Sequence, residues 1–236
     1  GIYSGREYSR RKLYPTIYPG RSIKKMKRNI DLKEISDGRL YGSNDLVKAD
    51  CGDCRGCFAC CCGMGNSIIL DPLDVHRLTT GLNQSFEALL ASYLELNVVD
   101  GIILPNLKMQ GSRECCAFLN EAGRCTIHAI RPGICRLFPL GRYYENGSFR
   151  YFLQTHECKK ANRTKVKIKK WIDTPELGKY ETFVNRWHYY LKDMETLIEK
   201  QPEKAKEIDL QILQRFYLTP YGDDFYTEFE QRMQKG

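Results

Sequence analysis

The sequence predicts an α+β fold: a small, hairpin-rich cysteine-cluster domain packed against C-terminal helices. Three observations predict it. Six of the chain's 11 cysteines crowd into residues 51–62. Short apolar stretches separated by Asp-Gly and Asn-Gly turns follow as far as residue 154. The last quarter spaces its apolar and aromatic residues as helices do. So dense a set of thiols needs a common purpose, and the expectation is that the cysteine domain is built around metal. The organisation read from composition is a basic, flexible tail over residues 1–25, the cysteine-cluster domain over 26–172 and a helical subdomain over 173–236.

The tail is set apart by charge. Residues 1–30 hold nine Lys/Arg against one acid, Glu7, which accounts for the whole net charge of +8. Electrostatic steering therefore belongs to this stretch and not to the cysteine domain. Tyr3, Tyr8, Tyr14 and Tyr18 interleave with the basic residues, a pattern able to stack on RNA bases or to dock on an acidic protein. A disordered extension kept soluble by charge is the plainer expectation. No apolar run approaches the roughly 20 residues of a membrane helix, so no membrane partner is expected. Many free cysteines without an apolar leader point to a reducing cytoplasm.

Taken in order, residues 30–50 lead as a short helix or loop into the cysteine loop. Gly63-Met64-Gly65 lets the backbone wrap closely around a site, and 67–70 reads as a short strand. Asp71-Pro72 opens a helix, with Asp as N-cap and Pro in the first turn, and Gly81 closes it. Ser85 caps a second helix over 86–96. Residues 98–110 form a strand pair turning at Asp100-Gly101. Cys116 and Cys125 sit on the two arms of a hairpin about the turn 120–123. Arg131-Pro132-Gly133 breaks the chain before Cys135. A further hairpin, 140–144 with 148–154, turns at Asn146-Gly147, and Cys158 follows it. Residues 163–172 alternate lysine with apolar residues. They read as an edge strand guarded by charge, or more sharply as a patch for an anionic partner. A helix from Thr174-Pro175 carries Tyr180, Phe183, Val184, Trp187, Leu191, Met194 and Ile198 on one stripe. Pro202 starts the next, with Ile208, Ile212 and Phe216, and a short helix over 223–234 carries Phe225 and Phe229.

The cysteine loop admits three chemistries. Cysteines two residues apart can turn both sulfurs onto one ion, and Cys51, Cys54, Cys57 and Cys60 form three such steps. Cys51-x2-Cys54-x2-Cys57-x3-Cys61 also has the spacing of a bacterial ferredoxin run, although Cys62 stands where that run carries Pro and no second copy exists. Disulfides rank last, because the crowded loop cannot pair internally, a chain of this length needs no staples, and 11 is an odd number. Zinc and iron both accept all-Cys coordination. Consecutive thiols and the scarcity of histidine put iron–sulfur first and zinc second. No radical-SAM spacing, P-loop or dinucleotide fingerprint occurs.

Cys54-x2-Cys57-x2-Cys60-Cys61, Cys116-Ala-Phe-Leu, Cys125-Thr-Ile-His128 and Arg131-Pro-x2-Cys135-Arg136-x2-Pro139 together resemble the CxxCxxCC cysteine-cluster family, described as zinc- or iron-chelating. The resemblance covers about residues 50–160. It implies that Cys54, Cys57, Cys60, Cys61, Cys116, Cys125 and Cys135 are shared metal ligands, and Cys158 is the choice for an eighth. Phe58 replaces an expected Gly, and Cys51, Cys62 and Cys115 are additional candidates. Eight ligands would hold two 4Fe–4S clusters. Longer relatives include a flagellin lysine methylase, which makes methyl transfer conceivable by analogy only.

Three functions follow. The first is an iron–sulfur protein in electron transfer, with a redox partner or protein substrate; Arg131 and Arg136 flank Cys135 and would offset cluster charge. The second is an enzyme whose cluster acts on substrate, with His128, His156 or Glu157 as acid–base groups. The third is a zinc-folded module gripping RNA or an acidic protein through the tail and the lysines at 165–170.

Overall fold

The computed structural model describes residues 32–52 and 54–234, with the backbone of Thr16–Ile17. The other positions of the basic tail, and the readings made on them, lie outside the described residues.

The chain is α+β, as expected, with its strands in small pairs. β1 (Thr16–Ile17) lies parallel to β7 (Leu140–Glu145), which pairs antiparallel with β8 (Ser148–Leu153). After α1 (Leu32–Ile35) comes β2 (Leu46–Asp50), antiparallel to β9 (Thr164–Lys167). β3 (Leu94–Val99) pairs with β4 (Ile102–Leu107), and β5 (Met109–Gln110) with β6 (Cys115–Cys116). Both predicted tight turns form. Asp100 and Gly101, like Asn146 and Gly147, have positive φ, which matches the twist of the strands they join.

Helix α2 (Pro72–Leu82) begins with a reciprocal capping box: the Asp74 N–H donates to Asp71 Oδ1 (2.8 Å) and the Asp71 N–H to Asp74 Oδ2 (3.1 Å). Its end differs from the expectation. Asn83 in the left-handed conformation closes the helix, not Gly81. Gly81 serves packing, since a Cβ there would lie 2.5 Å from Ile130 Cδ1. Helix α3 (Phe86–Ser92) is four residues shorter than read, because Leu94 starts β3 and pairs with Leu107. In that strand the apolar Leu96 and Val98 face solvent, while Glu95 and Asn97 turn inward to the buried Asn106.

After α4 (Gly133–Leu137) and α5 (Ile168–Ile172), the long α6 (Leu177–Lys200) buries Tyr180, Phe183, Val184 and Trp187. It starts later than Thr174-Pro175, beyond two left-handed residues, Asp173 and Glu176. α7 (Ala205–Leu213) runs into a π turn, Gln214–Leu218, and α8 (Phe225–Gln234) ends the described chain. Their aromatics interlock edge to face: the ring centroids of Phe183 and Phe229 are 4.7 Å apart and those of Trp187 and Phe216 are 5.1 Å apart. Val47, Leu70, Leu104, Leu137 and Phe229 all belong to the same buried cluster, so the C-terminal helices and the cysteine-bearing part share one apolar interior. No helix among the described residues is long and apolar enough to cross a membrane.

Candidate metal centre

The cysteine loop leaves β2 at Cys51 and is bent by successive positive-φ residues, Gly52, Cys54 and Gly56. Glycine tolerates this conformation freely, and it lets two turns follow one another. The Arg55 N–H donates to Gly52 O (3.2 Å) and the Cys57 N–H to Cys54 O (3.0 Å). A 3-10 turn, Ala59–Cys61, then presents Cys60 and Cys61. Cys116 comes from β6. Cys125 sits on the return arm of the hairpin about residues 120–123, bridged to Leu119. Cys135 lies in α4, whose first residue, Gly133, donates its N–H to the buried Asp74 Oδ1 at 2.7 Å. A Cβ on Gly133 would stand 2.3 Å from Tyr180 Oη, so only glycine allows this approach. Cys158 follows β8, and Lys160 Nζ donates to Arg55 O (3.0 Å), tying that segment back onto the loop.

These segments enclose a cavity of about 110 Å³ lined by Cys54, Cys57, Cys60, Cys61, Cys116, Cys125 and Cys135. Phe58, Ile68, Leu107, Ile127, Phe138 and Trp171 supply much of the remaining wall. An adjoining space of about 20 Å³ is lined by Cys51, Cys54, Cys57, Cys60 and Cys158. The structure thus brings the seven cysteines of the family pattern to one cavity and places Cys158 and Cys51 at its neighbour. Phe58, which stands where glycine was expected, packs over Gly123: a Cβ on Gly123 would meet its ring at 2.7 Å.

Burial raises the thiols. Cys135 is held well above its ordinary pKa by desolvation, with Cys116 next among the causes. Burial, then the neighbouring Cys51, pushes Cys54 up to about 12. Cys60 is raised first by its hydrogen bond with Cys61 and then by burial. Cys116, Cys125 and Cys158 are raised mainly by burial. Such thiols stay protonated until a cation displaces the protons, and soft sulfur donors in an apolar shell are what zinc and iron–sulfur centres take. The donor set therefore fits a thiophilic metal. Among the described residues no three His, Cys, Asp or Glu side chains are grouped as they would be on one ion; the thiols are spread around the cavity wall.

Cys62 and Cys115, expected as further ligands, are a correction: they are bonded to each other, across 53 residues. Successive residues of a strand face opposite sides, so Cys116, turned to the cavity, leaves Cys115 turned away. The Gly63 N–H donates to Glu114 O (2.8 Å) beside the bond. Spacing within the loop does not disclose this long-range partner; the adjacent pair Cys115-Cys116 is the one signal of it in the sequence.

The expected flanking groups divide. Arg131 and His128 line the larger cavity. Arg131 Nη1 donates to His128 O (2.7 Å), and its charge tempers the rise of Cys125. Arg136 lines neither cavity. It is buried and spends its guanidinium on backbone carbonyls, of Ala129 and of Asp173 (3.1 Å for the latter). Glu157 lines the smaller space, and His156 lines neither.

The family model for CxxCxxCC, described as a "Putative zinc- or iron-chelating domain", matches residues 53–171, about half of the chain. The chain belongs to the CxxCxxCC family. Both cavities are built from residues inside that span, except Cys51 at the edge of the smaller one. Seven cysteines from four separate segments on one cavity give the CxxCxxCC pattern a spatial meaning that spacing alone does not. No curated protein matches the chain, and no solved structure does.

Proposed function

We propose that this CxxCxxCC protein carries a 4Fe–4S cluster in the larger cavity and works in electron transfer with a protein partner. One observation carries the reading: seven thiols from four separate segments line a single space of about 110 Å³ with apolar walls. A lone ion gathers its sulfurs tightly, whereas a cluster distributes its ligands over several irons, and the spread of these thiols suits the second. When bound, the group would supply one-electron chemistry, tuned by burial and by hydrogen bonds to sulfur. The chain's own part is to exclude water with Phe58, Phe138 and Trp171, and to hold a compensating cation, Arg131, at the rim. The Trp171 Nε1–H donates to Phe138 O (3.1 Å), which ties α5 to this wall.

Zinc in the same cavity is the second reading, favoured by an exposed lysine patch that begins on β9 and continues into α5, where the expected edge strand gives way to helix after Lys167. Lys165, Lys167, Lys169 and Lys170 are exposed around the half-buried Val166 and the buried Ile168. That patch would give a zinc-folded module an anionic partner, RNA or an acidic protein. Isolation without oxygen, followed by metal and acid-labile sulfide analysis, separates the two. Iron with sulfide is the expected result; stoichiometric zinc without sulfide would overturn the first reading.

A further inference from the structure

One cysteine pair lines neither cavity. Cys62 and Cys115 are joined to each other, while the other nine cysteines are free. The bond stands between two cavity-lining neighbours: Cys61 precedes Cys62, and Cys116 follows Cys115. It therefore staples the end of the cysteine loop to β6 where each segment delivers a sulfur to the larger cavity. The backbone tie at that junction is short. β6 is two residues long, Cys62 meets Cys115 as an isolated bridge, and the Gly63 N–H donates to Glu114 O (2.8 Å). Glu114 itself is left-handed, at φ 50°, a conformation that a residue with a side chain keeps only where its surroundings hold it. Both bonded cysteines are partly exposed, so a reagent approaches the bond from outside without entering the cavity. A setting that keeps nine thiols reduced also supplies the electrons that open an accessible bond.

We propose that the Cys62–Cys115 bond is a thiol–disulfide exchange site for a dithiol partner of the thioredoxin class, and that its reduction unlatches the Cys61 and Cys116 walls of the larger cavity. A partner thiolate attacks one sulfur of the bond, forming a mixed disulfide and expelling the other sulfur as a thiolate. The partner's second thiolate then displaces the remaining cysteine. Two electrons pass to the chain, the partner dithiol leaves as a disulfide, and the protons its two thiols lost are balanced by those that Cys62 and Cys115 take up. The freed Cys115 S–H has an acceptor at hand, Arg113 O, 3.8 Å from the sulfur. Without the bond the backbone tie between these residues rests on the Gly63–Glu114 hydrogen bond, and Glu114 is released from the left-handed conformation. The exchange step stands whatever the cavity holds; only its consequence for a bound metal rests on the metal-centre reading.

The test uses the full chain and a thioredoxin whose resolving cysteine is replaced by serine, which captures a disulfide as a stable mixed disulfide. Adducts should map by mass spectrometry to Cys62 or Cys115. No adduct while the bond stays intact, or adducts chiefly at other cysteines, would overturn the exchange site. Amide hydrogen exchange reads the latch. Reduction by dithiothreitol should speed exchange at Gly63 about tenfold, while Leu70, whose N–H donates to Pro105 O at 2.9 Å, stays unchanged. Equal rates at Gly63 before and after reduction would overturn the latch. Cys62→Ser/Cys115→Ser should exchange at the reduced rate with or without dithiol; should it fail to fold, the wild type before and after dithiol decides. A chelator should draw metal faster from the reduced chain than from the bonded one. Protein that holds no metal would sink the metal-centre reading while leaving the adduct and exchange results standing.

Discussion

At the scale of single residues, Cys135 shows how burial and metal affinity are linked. Desolvation holds its thiol well above the usual range, so a metal must displace its proton. Filling the larger cavity should release about one proton per thiol bound, seen in calorimetry as a heat that changes with the buffer's ionisation enthalpy; loading without proton release would contradict the assignment. Asp74 of α2 accepts from Gly133 at the start of the helix that carries Cys135, and the N-cap Asp71 lies beside it. Asp71 is pushed up to about 8, first by burial and then by the charge of Asp74. The folded state therefore holds a proton that the unfolded chain has lost. This contribution is complete below about pH 4, near the ordinary carboxylate value, and is lost as pH rises through about 8. Asp74→Asn removes the like charge and should flatten that slope in urea unfolding across pH 4–8. It also weakens the Gly133 contact, at a cost of about 1–3 kcal/mol. An unchanged slope would show that the pair does not share its burial.

At the scale of elements, what the sequence disclosed and what it hid have physical reasons. The Asp100-Gly101 and Asn146-Gly147 turns were legible because they carry residues that tolerate positive φ. The capping box at Asp71 was legible because its chemistry is local. The change from α3 to β3 was not: Leu94, Leu96 and Val98 continue an apolar pattern, and only the pairing with β4 makes it a strand. The Cys62–Cys115 bond was hidden for the same reason, since its two halves meet through the fold. The seven-cysteine set was legible through motif order, while the smaller space that Cys54, Cys57 and Cys60 share with Cys51 and Cys158 was not, because C-x2-C steps look alike in sequence. On α6 the aromatic stripe was legible, and Trp187 is 6% exposed; Trp187→Ala should cost about 3–5 kcal/mol by denaturant unfolding. At the hairpin about residues 120–123, Gly123→Ala strains a left-handed residue and strikes the Phe58 ring. It should cost about 1–3 kcal/mol by the same measurement, and Phe58→Gly, restoring the residue expected there, should recover the steric part. No recovery would place the whole cost in the backbone.

At the scale of the molecule, one apolar interior joins the cysteine-bearing part to the helices, so the metal centre and the aromatic core should melt together. Removing metal with a chelator under reductant should lower the thermal midpoint of the whole transition, since binding energy is folding energy at such sites. A midpoint indifferent to metal would mean that the core holds the cysteine segments unaided. Thiol counting supplies a further check: the metal-free protein should show nine reactive thiols before reduction of the Cys62–Cys115 bond and all 11 after it. The central claim is that sulfurs carried by distant segments share one inorganic centre, and iron X-ray absorption of the anaerobically isolated protein tests it most directly. The account predicts a first shell of sulfur and a second shell of iron around iron. Nitrogen or oxygen ligation, or a sulfur shell with no neighbouring iron, would contradict it.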